Sequence, residues 1–264
     1  MTDQFADSAV VVTGASSGIG RAIAKRFGEA GANVTVADIQ EEPQTGGTPT
    51  HEVINAADHD GEAKYVETDV SEVEDVQVAV DATVSEYGSL DVMVNNAGVT
   101  KIAPAEEMDI DDWRWVIDVN LTGVFIGSKI AGQQMLEQEE GGSIVNMASM
   151  MGQMGLQKRS PYNASKGGVI NLTRTLAIEW ASEDIYVNAL APGYIYTDIT
   201  EQTQDSADYS NEDIRRRTPV GRYGTPEEMA ENILFLARDD HFVTGEVLHA
   251  DGGWSADGWG YREP

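Results

Sequence analysis

Short apolar runs alternate along this chain with longer segments in which apolar residues recur at the spacing of a helix. Seven runs predict strands at 8–14, 33–38, 63–70, 90–98, 142–149, 185–193 and 246–253. Between them the helical spacing predicts helices at 17–30, 71–87, 107–138, 162–181 and 226–237. Strands that alternate with helices form parallel βαβ units. We therefore expect the α/β class, with a doubly wound, seven-stranded parallel sheet and helices on both faces.

The length and composition fit one domain of this kind. The chain has 264 residues and no linker-like interruption, so residues 1–264 are predicted to form a single domain. The N-terminus lacks a basic flank and an apolar signal core, and no apolar run reaches about 18 residues, which predicts a cytoplasmic protein. Cysteine is absent, which excludes disulfides and thiolate metal sites. His51 and His59 have no convincing set of further ligands, so we assign them to the surface and expect no metal.

The charge is strongly negative. Forty-five acidic and 17 basic residues give a net charge of −28, which argues against nucleic acid and anionic membranes as partners. A hydrophobic content of 41% favours a folded core over disorder. The acidic residues are spread along the chain, and we interpret them as a halophile-like surface whose self-repulsion is screened in concentrated salt. The alternative is an acidic protein from a mesophile that works at ordinary salt concentrations.

Several polar loops follow the predicted strands, where doubly wound sheets bind ligands. In "TGASSGIG" (13–20), glycines at 14, 18 and 20 allow a tight turn beside a helix start, which is typical of a phosphate-binding loop in a Rossmann domain. Asp38 ends the next strand, where a carboxylate can accept hydrogen bonds from an adenosine ribose. The same carboxylate would repel a ribose phosphate, so we expect NAD rather than NADP.

Tyr162 and Lys166 in "YNASK" lie one helical turn apart and so share a helix face. The ordinary pKa of a phenol is about 10, which is high for a base at neutral pH. A nearby ammonium would favour the phenolate and lower the pKa of Tyr162. The pair therefore predicts a proton donor or acceptor.

The motifs "TGASSGIG", "NNAG" (95–98), Ser149, "YNASK" and "PGYIYT" (192–197) together resemble the short-chain dehydrogenase/reductase family over essentially the whole chain. The resemblance implies an NAD-dependent oxidoreductase that transfers a hydride between nicotinamide and a hydroxyl or carbonyl. The implied catalytic residues are Asn120, Ser149, Tyr162 and Lys166. The implied cofactor-binding residues are Gly14, Ser16, Ser17, Gly18, Ile19, Gly20, Asp38, Asp69, Val70, Asn96, Ala97, Gly98, Tyr162, Lys166, Pro192, Gly193, Ile195 and Thr197.

The resemblance also implies individual roles. Ser149 would lie beside the substrate oxygen, and Lys166 would hold the nicotinamide ribose as well as tune Tyr162. The side-chain amide of Asn120 would hold a water that links Lys166 to solvent. For Asn96 and its neighbour Asn95, a turn-stabilising role remains open beside direct binding.

The substrate side is less defined by sequence. The segment at about 194–225 is long, polar and acidic, and we expect a mobile lid that suits a hydroxylated substrate. Lys158 and Arg159 form a basic pair just before Tyr162, and Arg159 is a hypothetical partner for a sugar or sugar acid. A solvent-exposed pair is the open alternative. The candidate substrate residues are Ser149, Met151, Arg159 and Tyr194.

These patterns favour a sugar dehydrogenase. A 3-oxoacyl thioester reductase is the alternative, and a non-catalytic nucleotide-sensing protein is a further one. The resemblance implies a homotetramer with the helices at 107–138 and 162–181 between subunits. The Trp-rich tail from 252 is expected to pack on a neighbouring subunit or to close a pocket rim, and Arg215–Arg217 to stabilise a helix C-terminus or a subunit contact.

Overall fold

The computed structural model describes residues 5–138, 140–197 and 210–258. One parallel sheet runs through them in the order β3-β2-β1-β4-β5-β6-β7. The strands are β1 (Ala9–Thr13), β2 (Asn33–Asp38), β3 (Ala63–Glu67), β4 (Val92–Asn95), β5 (Gly142–Met147), β6 (Ile185–Pro192) and β7 (Val247–Ala250). The strand order reverses between β1 and β4, which is the switch point where such sheets bind ligands. The predicted doubly wound fold is confirmed.

Eight α-helices lie in the described ranges: α1 (Gly18–Glu29), α2 (Thr50–Asn55), α3 (Val73–Tyr87), α4 (Ile110–Ile117), α5 (Gly123–Gln138), α6 (Ser160–Trp180), α7 (Asn211–Arg217) and α8 (Pro226–Leu236). The sequence pattern missed α2 and α7, because helices of six and seven residues are too short to establish an apolar stripe. In α7 the last turn holds Arg215–Arg217, which confirms their expected position at a helix C-terminus.

The predicted helix at 107–138 is divided. Asp109 caps α4 by accepting the N–H of Asp111 (2.8 Å), so the helix begins at Ile110 rather than at 107. Between α4 and α5, residues Asp118–Thr122 form a π-helical turn. Such turns are frequent at functional sites, and this one contains Asn120.

The sheet is buried on both faces. In β1, Val10 and Val12 pack with α1 and α8 on one face, whereas Val11 packs with α3, α5 and α6 on the other. All five residues of β1 are buried. This double cover leaves the strand ends as the accessible edges. No helix in the described ranges is long and apolar enough to cross a membrane.

Candidate active site

The glycines in the turn between β1 and α1 let backbone atoms pack closely. Gly14 and Gly18 have φ values of +64° and +55°, a region that glycine adopts without steric cost. A Cβ atom on Gly20 would lie 2.0 Å from the carbonyl oxygen of Gly14, so no side chain fits there. Ser17 precedes α1 in an extended conformation, and the helix begins directly at the turn. Its N-terminal amides are therefore in the position at which helices bind phosphate groups.

Asp38 lies beside this turn at the end of β2. Its Oδ2 accepts the backbone N–H of Ser16 (2.9 Å), and its Oδ1 accepts that of Gln40 (3.3 Å). Burial raises the pKa of Asp38, while the hydrogen bonds from Ser16 and Gln40 act to lower it. The Ser16 hydroxyl in turn donates to the carbonyl oxygen of Gln40 (2.6 Å). The carboxylate is thus fixed against the glycine-rich turn.

The loop after β2 folds along the same turn. The Gln44 N–H donates to Ser17 Oγ (2.8 Å). The Arg21 guanidinium donates to the Thr48 carbonyl (2.9 Å) and to Thr50 Oγ1 (2.8 Å). This arginine therefore braces the loop and α2. The sequence alone does not indicate these contacts, because they join residues about 27 positions apart.

Asn95 and Asn96 use their side chains to tie strands together. The Asn95 amide donates to Asn146 Oδ1 (2.9 Å) in the neighbouring strand, and the Asn96 amide donates to the Thr13 carbonyl (2.8 Å). Thr13 Oγ1 also accepts the N–H groups of Asn96 (2.9 Å) and Ala97 (3.0 Å). These contacts are those expected of the structural role that the sequence left open. They hold the ends of β1 and β4 beside each other.

Asp69 and Val70 lie in the turn between β3 and α3. Asp69 Oδ1 accepts the N–H (2.9 Å) and the hydroxyl (2.6 Å) of Ser71, which shapes the turn. Val70 is buried, and a Cβ atom on Gly123 would lie 2.9 Å from its side chain. The start of α5 therefore packs directly on this turn.

Ser149, Tyr162 and Lys166 are brought together at the end of β5. The helix α6 begins at Ser160, so Tyr162 lies in its first turn and Lys166 one turn later. A side-chain hydrogen bond joins Ser149 to Tyr162. The Lys166 ammonium donates to the Met147 carbonyl (2.7 Å) and lies 5.8 Å from the centre of the Tyr162 ring. The three side chains therefore form one cluster.

The electrostatics of this cluster differ from the expectation in one respect. Burial raises the pKa of Tyr162, and the hydrogen bond with Ser149 and the charge of Arg159 act to lower it. Burial also lowers the pKa of Lys166 to about 8. The cation that opposes the rise in the Tyr162 pKa is thus Arg159, whereas Lys166 is directed to a backbone carbonyl.

Asn120 is fully buried in the π-helical turn. Its Oδ1 accepts the Val99 N–H (2.8 Å), and its Nδ2 donates to the Val99 carbonyl (2.8 Å). A Cβ atom on Gly98 would lie 3.4 Å from Asn120 Oδ1 and 3.7 Å from Lys166 Nζ. Gly98 therefore lies between the Asn120 amide and the Lys166 ammonium and contacts both. Its expected role in holding a water stays a prediction.

The candidate substrate residues flank the cluster. Met151 lies in the short 3₁₀ turn after Ser149, where its N–H donates to Ser149 Oγ (3.2 Å). Arg159 directly precedes α6 and is half-buried. Lys158 is exposed and has a φ of +62°, and its carbonyl accepts the N–H of Ala103 (3.0 Å). The backbone before Arg159 is therefore held in a conformation that non-glycine residues seldom adopt.

The segment after β6 carries the remaining candidates. Pro192 ends β6, the Gly193 N–H donates to the Ala250 carbonyl (3.0 Å), and Ile195 is buried. Thr197 is the last residue of its described range. Of the lid expected at 194–225, residues 198–209 lie outside the described residues. Closure of that lid stays a prediction.

Two further expectations concern the histidines and the tail. His51 and His59 are half-buried, and His51 Nε2 lies 3.6 Å from a Glu41 carboxylate oxygen. Within the described ranges, no group of three His, Cys, Asp or Glu side chains could hold a metal ion. In the tail, Trp254 packs within its own chain against Tyr194 (5.0 Å between ring centres), whereas Trp259 lies outside the described residues.

Known proteins are similar to this chain in sequence and in fold. A family model described as "Enoyl-(Acyl carrier protein) reductase" matches residues 14–255. The chain is 42% identical to cis-4-hydroxycyclohexanecarboxylate dehydrogenase of Sinomonas cyclohexanicum, over 97% of this chain and 100% of the relative. It is 41% identical to the 3-oxoacyl-[acyl-carrier-protein] reductase FabG of Thermotoga maritima, over 92% and 96%.

A solved structure gives the same result. A putative NAD(P)-dependent gluconate 5-dehydrogenase from Beutenbergia cavernae, with NADP bound at low occupancy, matches with a TM-score of 0.87 and 38% identity, over 97% of this chain and 100% of that chain. The chain belongs to the short-chain dehydrogenase/reductase family. Members act on hydroxyl or carbonyl groups with NAD(P), so this protein is an oxidoreductase of that kind.

The residues of this short-chain dehydrogenase/reductase fit a dinucleotide. Gly14 and Gly20 let the turn pack closely against itself and against Asn96 and Ala97, whereas a Cβ atom on Gly18 would meet nothing within 4 Å, so the backbone cradle at the start of α1 has open space for a pyrophosphate. Asp38 lies next to the cradle, within reach of a ribose. When bound, NAD(P) supplies the hydride acceptor or donor.

Proposed function

We propose that this protein is an NAD-dependent dehydrogenase that oxidises a secondary or hemiacetal hydroxyl of a sugar or sugar acid. The observation that carries this proposal is the position of Arg159. It directly precedes α6, is half-buried, and acts electrostatically on Tyr162 in a chain whose net charge is −28. A guanidinium in this position is suited to bind a carboxylate or several hydroxyls of a substrate.

The chain's own residues supply the proton chemistry. In its phenolate form the Tyr162 oxygen would take the proton of the substrate hydroxyl, while the hydride on the same carbon would leave to the NAD(P) that the chain holds when loaded. The Ser149 hydroxyl, which already pairs with Tyr162, stabilises the developing alkoxide. Lys166 lies one turn away and provides a group that can pass the proton onward, since burial lowers its pKa to about 8. The Asn120 amide holds the backbone at Val99 and also donates to Ser165 Oγ (3.4 Å), in the residue before Lys166.

Two relatives support a hydroxy acid as the substrate. The Sinomonas enzyme is named for a hydroxylated ring carboxylate, and the Beutenbergia protein is named for gluconate. Both names describe a hydroxyl to be oxidised and a carboxylate at a distance from it. Arg159 gives this chain a cation that could meet such a carboxylate while Tyr162 meets the hydroxyl.

A 3-oxoacyl thioester reductase is the second candidate. The Thermotoga relative and the description of the family model favour it, since both are named for acyl carrier protein substrates. The charge of −28 opposes it, because an acidic surface repels an acidic carrier protein. A non-catalytic nucleotide sensor is a weaker candidate, since it would have no need for the cluster of Ser149, Tyr162 and Lys166.

A substrate panel tests the proposal. Aldoses, sugar acids, polyols and acyl thioesters are assayed with NAD and NADP, and with the reduced cofactors for carbonyl substrates, in molar and in dilute salt. We expect the highest kcat/KM for a sugar acid with NAD in molar salt. Preference for an acyl thioester would establish the second candidate instead. Full activity and an unchanged structure in dilute salt would contradict the halophilic character that we also propose.

Replacing Arg159 with Ala is expected to raise the KM of a sugar acid by about tenfold or more, since a charge-assisted hydrogen bond contributes roughly 1.5–3 kcal/mol. The KM of a neutral aldose should change much less. The acid limb of the pH–rate profile should also move to higher pH for both substrates, because Arg159 acts to lower the pKa of Tyr162. Steady-state kinetics from about pH 6 to about pH 11 measure both effects, since the acid limb reports a pKa that burial raises.

The matched control is Arg159→Lys, which keeps the charge and loses the planar fork. It should retain the pH profile and recover part of the affinity for the acid. If Arg159→Ala leaves both kinetic constants unchanged for every sugar acid, the carboxylate proposal is wrong.

Replacing Asp38 with Asn is expected to raise kcat/KM for NADP by about tenfold, because it removes a charge that repels the 2′-phosphate. Asn keeps a side-chain oxygen for the Ser16 N–H, so the glycine-rich turn should remain intact. Efficiency with NAD should fall, since the ribose loses a charged acceptor. Kinetics with the two cofactors measure the ratio, and a native enzyme that prefers NADP would refute the NAD assignment.

We also propose a homotetramer. Apolar side chains are exposed on the three helices expected at subunit contacts: Trp115 (47%) on α4, Phe125 (46%) on α5 and Ile178 (82%) on α6. Exposed apolar residues can mark interaction surfaces, and others lie on α3 (Val73, Val78) and α8 (Phe235), so the measured mass decides the assembly. Light scattering in molar salt measures the mass, and a monomer would refute the assembly.

A further inference from the structure

The backbone that follows β6 is held by residues near the end of the chain. The Gly193 N–H donates to the Ala250 carbonyl at the end of β7. A Cβ atom on Gly193 would lie 2.7 Å from the Cα atom of Asp251, so the two backbones are in close contact. The position of residues 193–196 therefore depends on the chain just after β7.

A second set of contacts holds the same backbone from the side of α7 and α8. The Gly224 N–H donates to the Tyr194 carbonyl (3.0 Å), and the Tyr196 N–H donates to the Gly224 carbonyl (2.9 Å). These bonds form a short parallel bridge at Ile195. Residues 193–196 are thus paired on both sides but lie outside the main sheet.

The C-terminal turn, defined here as Asp251–Ser255, is shaped by one buried carboxylate. Asp251 is 7% exposed, and its two oxygens accept the N–H groups of Gly253 (2.9 Å) and Ser255 (2.9 Å). Gly252 has a φ of +64°, and a Cβ atom on it would lie 2.7 Å from the side chain of Thr218, which follows α7. The turn therefore packs closely against the end of α7.

Trp254 projects from this turn and connects it to two other segments. The guanidinium carbon of Arg217, at the end of α7, lies 4.7 Å from the centre of the indole, which is a cation–π contact. The Tyr194 ring lies 5.0 Å from it at 57°. Arg217 also donates to the Asp257 carbonyl (3.1 Å), so its guanidinium is held over the indole. One half-buried side chain thus contacts α7 and residues 193–196 together.

We propose that Trp254 is a positioning residue: through Tyr194 it holds residues 193–196 in place after the carboxyl end of β6, where the nicotinamide and the substrate would bind. This end of β6 pairs with the end of β5, just before Ser149. This inference rests on the dehydrogenase function proposed above. Trp254 acts from outside the reacting atoms, so we expect it to affect kcat and the KM of the hydroxy substrate. Binding of NAD should change little, since its adenosine half is expected at Asp38 and the glycine-rich turn.

The test compares Trp254→Leu with Trp254→Phe. Phe keeps an aromatic face for Arg217 and Tyr194, whereas Leu keeps only apolar volume. We expect Trp254→Leu to lower kcat/KM for the hydroxy substrate by about tenfold and Trp254→Phe to stay within about threefold of native, consistent with loss or retention of the cation–π contact. The Kd of NAD, measured by titration calorimetry, should stay within about threefold in both variants.

A second measurement does not depend on activity. Amide hydrogen exchange of the cofactor-free protein should show faster exchange at Tyr196 and Gly224 in Trp254→Leu, by about tenfold, because their bonds open more often. Trp180→Leu is the control, since Trp180 packs on Gly132 in α5 and should leave exchange at those amides unchanged.

The outcomes separate this inference from the proposed function. If the native protein oxidises no hydroxy substrate but Trp254→Leu accelerates exchange at residues 193–196, the function is wrong and the positioning role stands. If the native protein is active and Trp254→Leu matches it in kcat/KM and in exchange, the positioning role is wrong. Should Trp254→Leu fail to fold, Arg217→Met removes the cation alone and should give the same changes to a smaller extent.

Discussion

Replacing Tyr162 with Phe is expected to lower turnover by about 10³-fold, within the range that positioned proton transfer contributes. The change deletes one oxygen, which Ser149 contacts through a hydrogen bond, and leaves the ring in place above Lys166. The glycine-rich turn and Asp38, where we propose that the adenosine half binds, are untouched, so NAD should bind with a Kd within about threefold of native. Initial rates with the best substrate of the panel, together with a binding titration, measure both quantities.

Tyr87→Phe is the matched control. Tyr87 ends α3 just before β4 begins, so it lies at the amino ends of the parallel strands, whereas the cluster lies at their carboxyl ends. The same loss of a hydroxyl should therefore leave turnover unchanged. Turnover of Tyr162→Phe within about tenfold of native would mean that another group transfers the proton, because even modest acid–base catalysis exceeds that factor.

Replacing Lys166 with Met is expected to abolish most turnover and yet to stabilise the fold at neutral pH. Lys166 is 3% exposed, and burial lowers its pKa from 10.5 to about 8. A shift of this size costs about 3 kcal/mol in the free energy of unfolding when the group is charged. Met avoids that cost but leaves the Met147 carbonyl without its donor, a loss of about 1–2 kcal/mol. A net gain of about 1–2 kcal/mol therefore remains.

The gain should depend on pH with a definite sign. Between about pH 8 and 10.5, Lys166 is protonated in a larger fraction of unfolded chains than of folded chains. The free energy of unfolding therefore rises with pH across this range. The cost is fully present below pH 8 and absent above pH 10.5. The stability advantage of Lys166→Met should accordingly shrink across this window.

Urea unfolding of the native protein and of Lys166→Met at about pH 7 and about pH 10, at one salt concentration, measures the difference in the free energy of unfolding. These two pH values lie on either side of most of the range over which Lys166 loses its proton. Lys25→Met on α1 is the control and should change stability by no more than about 0.5 kcal/mol at either pH. A Lys166→Met variant that is less stable than native at pH 7 would show that the buried ammonium is compensated by contacts beyond Met147.

Sequence patterns were sufficient for most of the sheet and for bringing Tyr162 and Lys166 of the candidate cluster onto one helix face. The central strands are apolar runs buried on both faces, so the predicted bounds of β2 (33–38) are unchanged and those of β1 differ by one residue at each end, whereas the edge strands β3 and β7 are only half-buried. The turn at Gly14–Gly20 and the pair Tyr162 and Lys166 depend on local backbone geometry, which short motifs encode directly.

Other features depend on contacts between distant segments. The π-helical turn around Asn120 inserts one residue into a helical register, and its amide is fixed by Val99, 21 residues away. The divided helix at 110–138 therefore could not be read from apolar spacing. The loop braced by Arg21 and the contacts of Trp254 with Arg217 are likewise set by packing across the chain.

The sequence by itself determined the doubly wound class, because hydrophobic periodicity carries that information, and it predicted the glycine-rich turn and the Tyr162 and Lys166 pair from local motifs, while Ser149 was assigned through the family resemblance. The tertiary structure alone decided the directions in which the pKa values of Tyr162 and Lys166 are shifted. It directs Lys166 to the Met147 carbonyl and lowers its pKa by burial, and it makes Arg159 the cation that acts on Tyr162. A pKa depends on burial and on neighbouring charges in space, and neither is a property of residue spacing.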